Sequence, residues 1–262
     1  MEYAIFLLLG IGVGTFGTLV GIGGGLILVP FFIFFMSAGC IYPYFHEASQ
    51  IVGTSLFVVF TNALSGTIAY IRQRRVFYHA AVPFALATLP GAFLGSYAAD
   101  RFTDESLDFY YGCFLLCMAS LMYWNNTRKK DNNTSTEIPP GFKYNRPLGI
   151  VCSGGVGFIA SMFGIGGGII HVPLMVYVLG FPAHIATATS QFVLAVSSLV
   201  GLISHTILGH IVWLPAICIG IGAAVGAQLG AKISKQTKPR TILLLLSFAV
   251  FIVAVRLIYM GM

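Results

Sequence analysis
The feature that most constrains this chain is a glycine-interrupted apolar segment that occurs twice. The first copy, from Gly14 to Pro30, reads GTFGTLVGIGGG followed by four residues and a proline. The second copy, from Gly157 to Pro173, reads GFIASMFGIGGG followed by four residues and a proline. Each glycine lowers helix propensity by about 1 kcal/mol relative to alanine. A run of four glycines in five positions therefore predicts an interrupted helix at two equivalent places.

Two further matches indicate that the whole chain is a duplication. The segment GTSLF at 53–57 pairs with ATSQF at 188–192, and GAFLG at 91–95 pairs with GAQLG at 226–230. The glycine segments lie 143 residues apart and the other two pairs lie 135 residues apart. Self-similarity at a nearly fixed spacing is the signature of a repeat. We therefore divide the chain into a first membrane repeat at 1–124, a linker at 125–146 and a second membrane repeat at 147–262.

Both repeats are apolar enough to lie in a membrane. Hydrophobic residues make up 57% of the chain and charged residues only 8%, against roughly 25% charged in soluble domains. Apolar segments near or above the span length cover 3–38, 46–71, 76–99, 105–124, 147–179, 183–205, 210–232 and 240–260. We predict an all-α polytopic protein of the cell membrane, in contact with the lipid bilayer. We also expect its first segment to be retained and not cleaved as a signal peptide.

Charge and cysteine usage exclude other classes. The net charge of +6 is spread over short loops, which is typical of an orientation signal and not of a nucleic-acid interface. The five cysteines have no metal-ligand spacing and are expected to be small packing residues. No cofactor is predicted, and the sequence does not indicate an oligomeric state.

Basic residues in short loops predict which loops face the cytoplasm. Arg72, Arg74 and Arg75 place the loop after the second segment inside, and the linker and the 232–240 loop are basic as well. Eight single crossings cannot place all three inside. The conflict disappears if each glycine-broken segment is a helix hairpin followed by three transmembrane helices, because the two repeats are then inverted. The alternatives are eight plain crossings with parallel halves, or two short crossings in place of each hairpin.

A broken helix within hydrocarbon is tolerated where it is buried in protein or lines a cavity. The helix that begins after the break offers free N–H groups and the positive end of its dipole, and glycine allows a ligand to touch the backbone. Two inverted copies would bring two such anion cradles together near the midplane. The alternative is that glycine allows close helix packing, as we expect for Gly10, Gly14 and Gly17. The predicted binding glycines are Gly21, Gly23, Gly24, Gly25, Gly164, Gly166, Gly167 and Gly168.

Neutral polar residues follow each break. Ser55 and Asn62 are seven positions apart and share a helix face, and Ser190 and Ser197 form the matching pair. Hydroxyl and amide donors without formal charge suit an anion that must also leave. The alternative is that they are hydrogen-bonding glue between helices. The predicted binding residues of this group are Thr54, Ser55, Asn62, Thr189, Ser190 and Gln191.

His171 lies in the apolar arm after the second break, where the first copy has Leu28. An ionisable group at membrane depth is a functional candidate, so His171 is predicted to contact the anion or to carry a coupling proton. His205 and His210 are expected in the loop between the sixth and seventh segments. His184 lies near a segment end and is expected at the membrane interface.

The paired GxxxxxxGIGGGxxxxP motif, each copy followed by a TS-containing helix, resembles the TauE/SafE sulfite exporter family. The resemblance covers nearly the whole chain except the linker. It implies a permease, and specifically an exporter, for sulfite, an organosulfonate or a related small sulfur-containing anion. An anion channel and a permease for a different small organic anion remain alternatives. An enzyme is not predicted, because the sequence has no HExxH, no GxSxG and no intramembrane carboxylate pair.

Overall fold
The computed structural model describes residues 2–37, 45, 47–99, most of 112–124 and 142–260. The predicted linker lies almost entirely outside these residues, and so does part of the predicted 105–124 segment. The described residues form helices and contain no strand. Before the linker these are α1 (Glu2–Val20), α2 (Gly25–Ser37), α3 (Ala48–Arg72) and α4 (Tyr78–Ala99). After it they are α5 (Arg146–Met162), α6 (Gly168–Pro173), α7 (Ala183–Ile207), α8 (Trp213–Gln236) and α9 (Pro239–Met260).

Among the residues that the structure describes, five helices are long and apolar enough to cross a membrane. They lie in α1, α3, α4, α7 and α8. Their large apolar side chains, such as Leu86, Leu94 and Val225, are exposed on the outer surface, whereas Asn62 and Gln191 are completely buried. This distribution suits hydrocarbon outside and polar groups inside. The prediction of an all-α polytopic membrane protein is confirmed.

Both glycine segments interrupt a helix where the sequence predicts it. The first break separates α1 from α2 and the second separates α5 from α6. The second arm turns back along the first. Gly167 lies beside Val156 and Ala160, and one turn later His171 Nε2 is 3.1 Å from the hydroxyl of Ser153. The contacts therefore move backwards along α5 as the chain moves forwards through α6, which is the geometry of a hairpin.

The two repeats are packed into each other. Helix α1 of the first repeat packs on α8 of the second, and α4 of the first packs on α5 of the second. A Cβ added at Gly14 would lie 2.6 Å from Ala223 Cα, and one added at Gly157 would lie 2.9 Å from Thr88 Cα. Small residues allow this close approach, which is the usual basis of helix association in membranes. The packing role predicted for Gly10 and Gly14 is therefore confirmed, since both face the backbone of α8.

Contact partners rise together along each of these helix pairs. In the first pair Gly10 meets Ile219 and Thr15 meets Gly226, and in the second Gly149 meets Phe84 and Phe158 meets Gly95. Helices α1 and α8 therefore run in the same direction, and so do α4 and α5. Helices α3 and α8 are parallel as well, because Ser65 Oγ donates to Ala224 O at 2.6 Å and Gln73 Nε2 donates to Ala231 O at 3.1 Å.

The structure corrects one of the histidine predictions. His205 belongs to the last turns of α7 and is buried, whereas His210 lies in the following loop. His184 lies at the start of α7, and only 4% of its surface is exposed, so that it is covered by protein; its position at the membrane interface remains a prediction. Sequence hydropathy places both near segment ends, but packing of neighbouring helices covers those ends.

Candidate functional site
The two helix breaks have the same backbone conformation. Gly21, Gly23 and Gly24 have φ values of 87°, 78° and 84°, and Gly164, Gly166 and Gly167 have 69°, 77° and 81°. Positive φ is the region in which glycine alone is free of a Cβ penalty. The three-glycine pattern is thus required by the backbone at each break.

The breaks lie directly against each other. A Cβ at Gly25 would lie 2.7 Å from Gly164 O and 2.9 Å from Ile165 Cα. A Cβ at Gly168 would meet Gly21 O and would lie 2.6 Å from Ile22 Cα. These contacts are equivalent under the 143-residue repeat. The predicted meeting of the two breaks is therefore present, and Gly25 and Gly168 make it possible by having no side chain.

Each break is closed on its other side by the same two apolar residues. Val59 and Leu194 are equivalent at the 135-residue spacing, and both face Gly23 and Gly166. Both side chains are buried. The breaks therefore lie in an apolar, water-poor setting in which an electrostatic interaction is stronger than in water.

Six amide N–H groups at the starts of the helices after the breaks have no acceptor among the described residues. In the first break the amides of Gly21, Ile22 and Gly23 all point to Gly17 O, at 2.9, 2.8 and 3.2 Å. The next amide with an acceptor is that of Ile27, which bonds Gly24 O at 3.1 Å. At these helix starts the amides without an acceptor are those of Gly24, Gly25, Leu26, Gly167, Gly168 and Ile169, and all six residues are buried. The amide of Gly164, on the other side of the second break, has no acceptor either. Unpaired buried amides are rare in proteins, so these six are donors suited to a ligand.

Ser55 and Ser190 satisfy the carbonyl groups of the breaks. Ser55 Oγ donates to Gly164 O at 2.8 Å, and Ser190 Oγ donates to Gly21 O at 3.1 Å. Each serine comes from the repeat opposite to the break that it contacts. The two hydroxyls thus compensate the broken helices and leave the amides as the unpaired groups.

Thr54 and Thr189 lie next to these serines but serve the helix ends. Thr54 Oγ1 accepts from Val212 N, and Thr189 Oγ1 accepts from Phe77 N, both at 3.1 Å. Val212 and Phe77 are the residues immediately before α8 and α4. The structure therefore brings the two threonines to the loops between helices and not to the amides of the breaks. Their predicted contact with an anion remains a prediction.

Asn62 and Gln191 meet at the last turns of α1. Thr18 Oγ1 donates to Asn62 Oδ1 at 2.8 Å, and Gln191 Nε2 lies 3.3 Å from Gly17 O. The Asn62 Nδ2 and Gln191 Oε1 atoms are buried without a partner. Asn62 therefore has a free donor one turn from the first break. Thr18 is a participant that the sequence reading missed, although its repeat equivalent is the hydroxyl residue Ser161.

His171 is buried, and its contact is local. Its Nε2 atom is 3.1 Å from Ser153 Oγ on the other arm of the same hairpin, and 2% of its surface is exposed. This contact stabilises the hairpin, while the predicted anion or proton role remains a prediction. Among the described residues, no three His, Cys, Asp or Glu side chains are placed to share a metal ion.

Two discontinuous helices, buried among long apolar helices and meeting at their breaks, define an integral membrane protein of the broken-helix type. The model of the sulfite exporter TauE/SafE family matches residues 6–257, nearly the whole chain. The chain therefore belongs to the TauE/SafE family and is a membrane transporter.

The similar proteins are described as transporters as well. The chain is 32% identical to the probable membrane transporter protein YunE of Bacillus subtilis, over 100% of this chain and 99% of that protein. It is 27% identical to a probable membrane transporter protein of Methanocaldococcus jannaschii, over 93% and 90% of the two chains. A probable membrane transporter protein of Xylella fastidiosa is 26% identical over 90% and 87%. No solved structure matches the chain.

Proposed function
We propose that this protein carries a small sulfur-containing anion, such as sulfite or an organosulfonate, across the cell membrane by alternating access. The observation that carries the proposal is the pair of helix breaks with six buried amide donors that have no acceptor among the described residues. Donors at a helix start favour negative charge because the helix dipole is positive there. The apolar surroundings exclude water, so a desolvated oxyanion would find its hydrogen bonds only in the protein.

The donors near the breaks are neutral, which suits a transporter. Besides the amides, the free donor at this place is Asn62 Nδ2. A neutral site holds an anion through hydrogen bonds without the strong attraction of a buried ion pair, so release remains possible. The sulfite named in the family description supports the substrate class, and the exporter in that description supports outward movement.

Alternating access needs two halves that can exchange roles, and we infer that the two repeats are inverted. Helices α1, α3 and α8 run in one direction, and α4 and α5 share a direction of their own. The connection between α3 and α4 spans only residues 73–77, which is too short to return across a bilayer about 30 Å thick. Helix α4 therefore runs against α3, so that α5 runs against α1, its equivalent in the first repeat.

The direct test is uptake of labelled sulfite into vesicles reconstituted with the purified protein. Gly24→Leu and Gly167→Leu place a side chain at positive φ beside Val13 and Val156. Both variants should lose uptake while still inserting into the membrane. Gly12→Leu is the matched control, because no heavy atom lies within 4 Å of an added Cβ there. Normal uptake by the two break variants would contradict the proposal.

A second measurement separates binding from packing. Sulfite should raise the unfolding free energy of the purified protein by mass action, by about 2.7 kcal/mol at a hundredfold excess over Kd, and its unfolding temperature should rise accordingly. A neutral sulfone of similar size should not, since it has no charge for the amides to bind. Equal stabilisation by both compounds would argue against an anion site.

The alternative function is an anion channel that uses the same amides. A transporter saturates with substrate concentration and shows exchange of labelled for unlabelled sulfite across the membrane. In a channel, unlabelled sulfite on the opposite side does not accelerate the flux of labelled sulfite, and the flux does not saturate at low sulfite concentration. Flux that rises linearly with sulfite concentration would favour the channel.

A further inference from the structure
Arg75 is a buried cation in the connection between α3 and α4. Only 4% of its surface is exposed, whereas its neighbours Arg72 and Arg74 are exposed. Its Nη1 donates to Gln73 Oε1 at 3.0 Å, and its Nη2 lies 2.7 Å from His184 Nδ1 and 3.3 Å from His184 O. The guanidinium carbon lies 5.1 Å from the centre of the Tyr70 ring. The residue is therefore held in place by four neutral contacts.

The charge of Arg75 is not balanced by any described residue. All its hydrogen-bonding partners are neutral, and the one carboxylate among the described side chains, Glu47, precedes α3 at the end away from Arg75. Its Nε atom is buried without an acceptor. A buried guanidinium stays protonated and is costly to bury unless an anion accompanies it. Arg75 thus offers both an unused donor and an unpaired positive charge.

A row of side chains connects Arg75 with the first break. Asn62, Gly66 and Tyr70 are spaced by four positions and lie on one face of α3. Tyr70 Oη donates to Thr18 O at 2.7 Å, and Thr18 in turn donates to Asn62. Gly66 leaves space opposite Thr18, since a Cβ there would lie 3.0 Å from Thr18 Oγ1. This face of α3 therefore runs without interruption from the unpaired amide of Asn62 to the guanidinium.

We propose that Arg75, together with His184, forms a second anion-binding site at the α3–α4 end of the transport path, for the same class of small oxyanion. The inference rests on the proposed function and adds a site to it. The free Nε–H of Arg75 can donate to an oxyanion while the charge of the guanidinium attracts it, and a lysine cannot place a donor at the Nε position. The anion meets this charged site at the end of α3 and the neutral amides of the breaks near its middle.

The second repeat has no equivalent permanent charge. At the 135-residue spacing, Tyr70 and Arg75 correspond to His205 and His210, whose Nδ1 atoms lie 3.1 Å apart. The Arg75 site therefore exists on one side of the pseudo-symmetric molecule only. It distinguishes the two ends of a path that is otherwise built from equivalent parts.

The test compares Arg75→Gln with Arg72→Gln, which removes the same charge from an exposed position at the end of α3. The unfolding temperature of each purified protein is measured against sulfite concentration. The dissociation constant, which is the half-saturating sulfite concentration, is fitted from the mass-action rise in stability. Arg75→Gln should raise that concentration about tenfold or more, because it removes a charged donor. Arg72→Gln should leave it within about twofold of the unchanged protein, as expected for an exposed charge.

The unfolding temperature without sulfite separates binding from a merely structural role. If Arg75→Gln lowers that temperature but leaves the half-saturating concentration unchanged, Arg75 only supports the fold and the proposal is overturned. If Arg75→Gln does not fold, Arg75→Lys provides the test, since it keeps the charge but loses the Nε donor. A raised half-saturating concentration in the lysine variant supports the site, and an unchanged one overturns it.

The same experiment separates this inference from the proposed function. Sulfite binding that is lost in Gly24→Leu but unchanged in Arg75→Gln would overturn the proposal of an Arg75 site and would still support anion binding by the amides of the helix breaks. The absence of any sulfite-induced stabilisation of the unchanged protein would contradict both.

Discussion
The contact between the two helix breaks can be tested with a single methyl group. Gly168 is the first residue of α6 and has an ordinary helical φ, so alanine there is free of backbone strain. The new Cβ would lie 2.6 Å from Ile22 Cα, where an ordinary contact is 3.4 Å or longer. The two breaks would have to separate by several tenths of an ångström. Gly168→Ala therefore isolates the break–break contact as a steric effect.

The magnitude follows from two opposing terms. Alanine should stabilise the helix by about 1 kcal/mol relative to glycine. Forcing a methyl group into a closely packed interior typically costs about 1–3 kcal/mol, and here the neighbour is backbone and cannot rotate away. We expect Gly168→Ala to be destabilised by up to about 2 kcal/mol and to lose most of its sulfite transport. Gly25→Ala should behave in the same way, because its Cβ would lie 2.7 Å from Gly164 O.

Gly155 provides the matched control in the adjacent helix α5. No heavy atom lies within 4 Å of a Cβ added there, so Gly155→Ala should be neutral or up to about 1 kcal/mol more stable. The assay is the unfolding midpoint of each purified protein in detergent, followed by sulfite uptake in reconstituted vesicles. Equal midpoints and equal uptake for Gly168→Ala and Gly155→Ala would refute the close contact of the two breaks.

Three further predictions follow from the same contacts. Ser55→Ala should lower the unfolding free energy by about 1–3 kcal/mol, because Gly164 O is left without its donor. Ser120→Ala, at an exposed position, should be nearly neutral. Equal unfolding midpoints for the two variants would show that the hydrogen bond from Ser55 to Gly164 does not stabilise the fold. Asn62→Leu removes the unpaired Nδ2 donor and should slow sulfite uptake about tenfold, the equivalent of about 1.4 kcal/mol. Thr61→Val on the same helix should keep the normal rate of uptake. An unchanged rate in Asn62→Leu would exclude Asn62 from the transport path. In a background without native cysteines, Arg74→Cys and Lys235→Cys should be labelled by an impermeant reagent from one side of the membrane, and Trp213→Cys should be labelled from the other. The reason is that α3 and α8 are parallel. Labelling of Arg74→Cys and Lys235→Cys from opposite sides would contradict the inverted arrangement.

The sequence alone predicts the helix breaks, because four glycines in five positions are incompatible with a continuous helix. It also predicts the membrane environment, because 8% charged residues cannot cover a water-facing surface. The duplication predicts that the breaks are equivalent, and the structure confirms this in their positive φ values. The helix breaks and the membrane environment depend on local sequence or on overall composition. They can therefore be predicted without knowing which residues meet in the folded protein.

Which groups meet across the molecule is decided by tertiary structure. The serines that follow each break contact the carbonyl of the other repeat, whereas the neighbouring threonines face helix ends, although both lie in the same TS pair. Successive residues of a helix point about 100° apart, so one residue along the chain separates the two roles. Hydropathy likewise assigns Arg75 to an exposed basic loop, but α7 packs over it and leaves a buried charge. Composition records how polar a residue is, while only packing determines whether water or protein surrounds it.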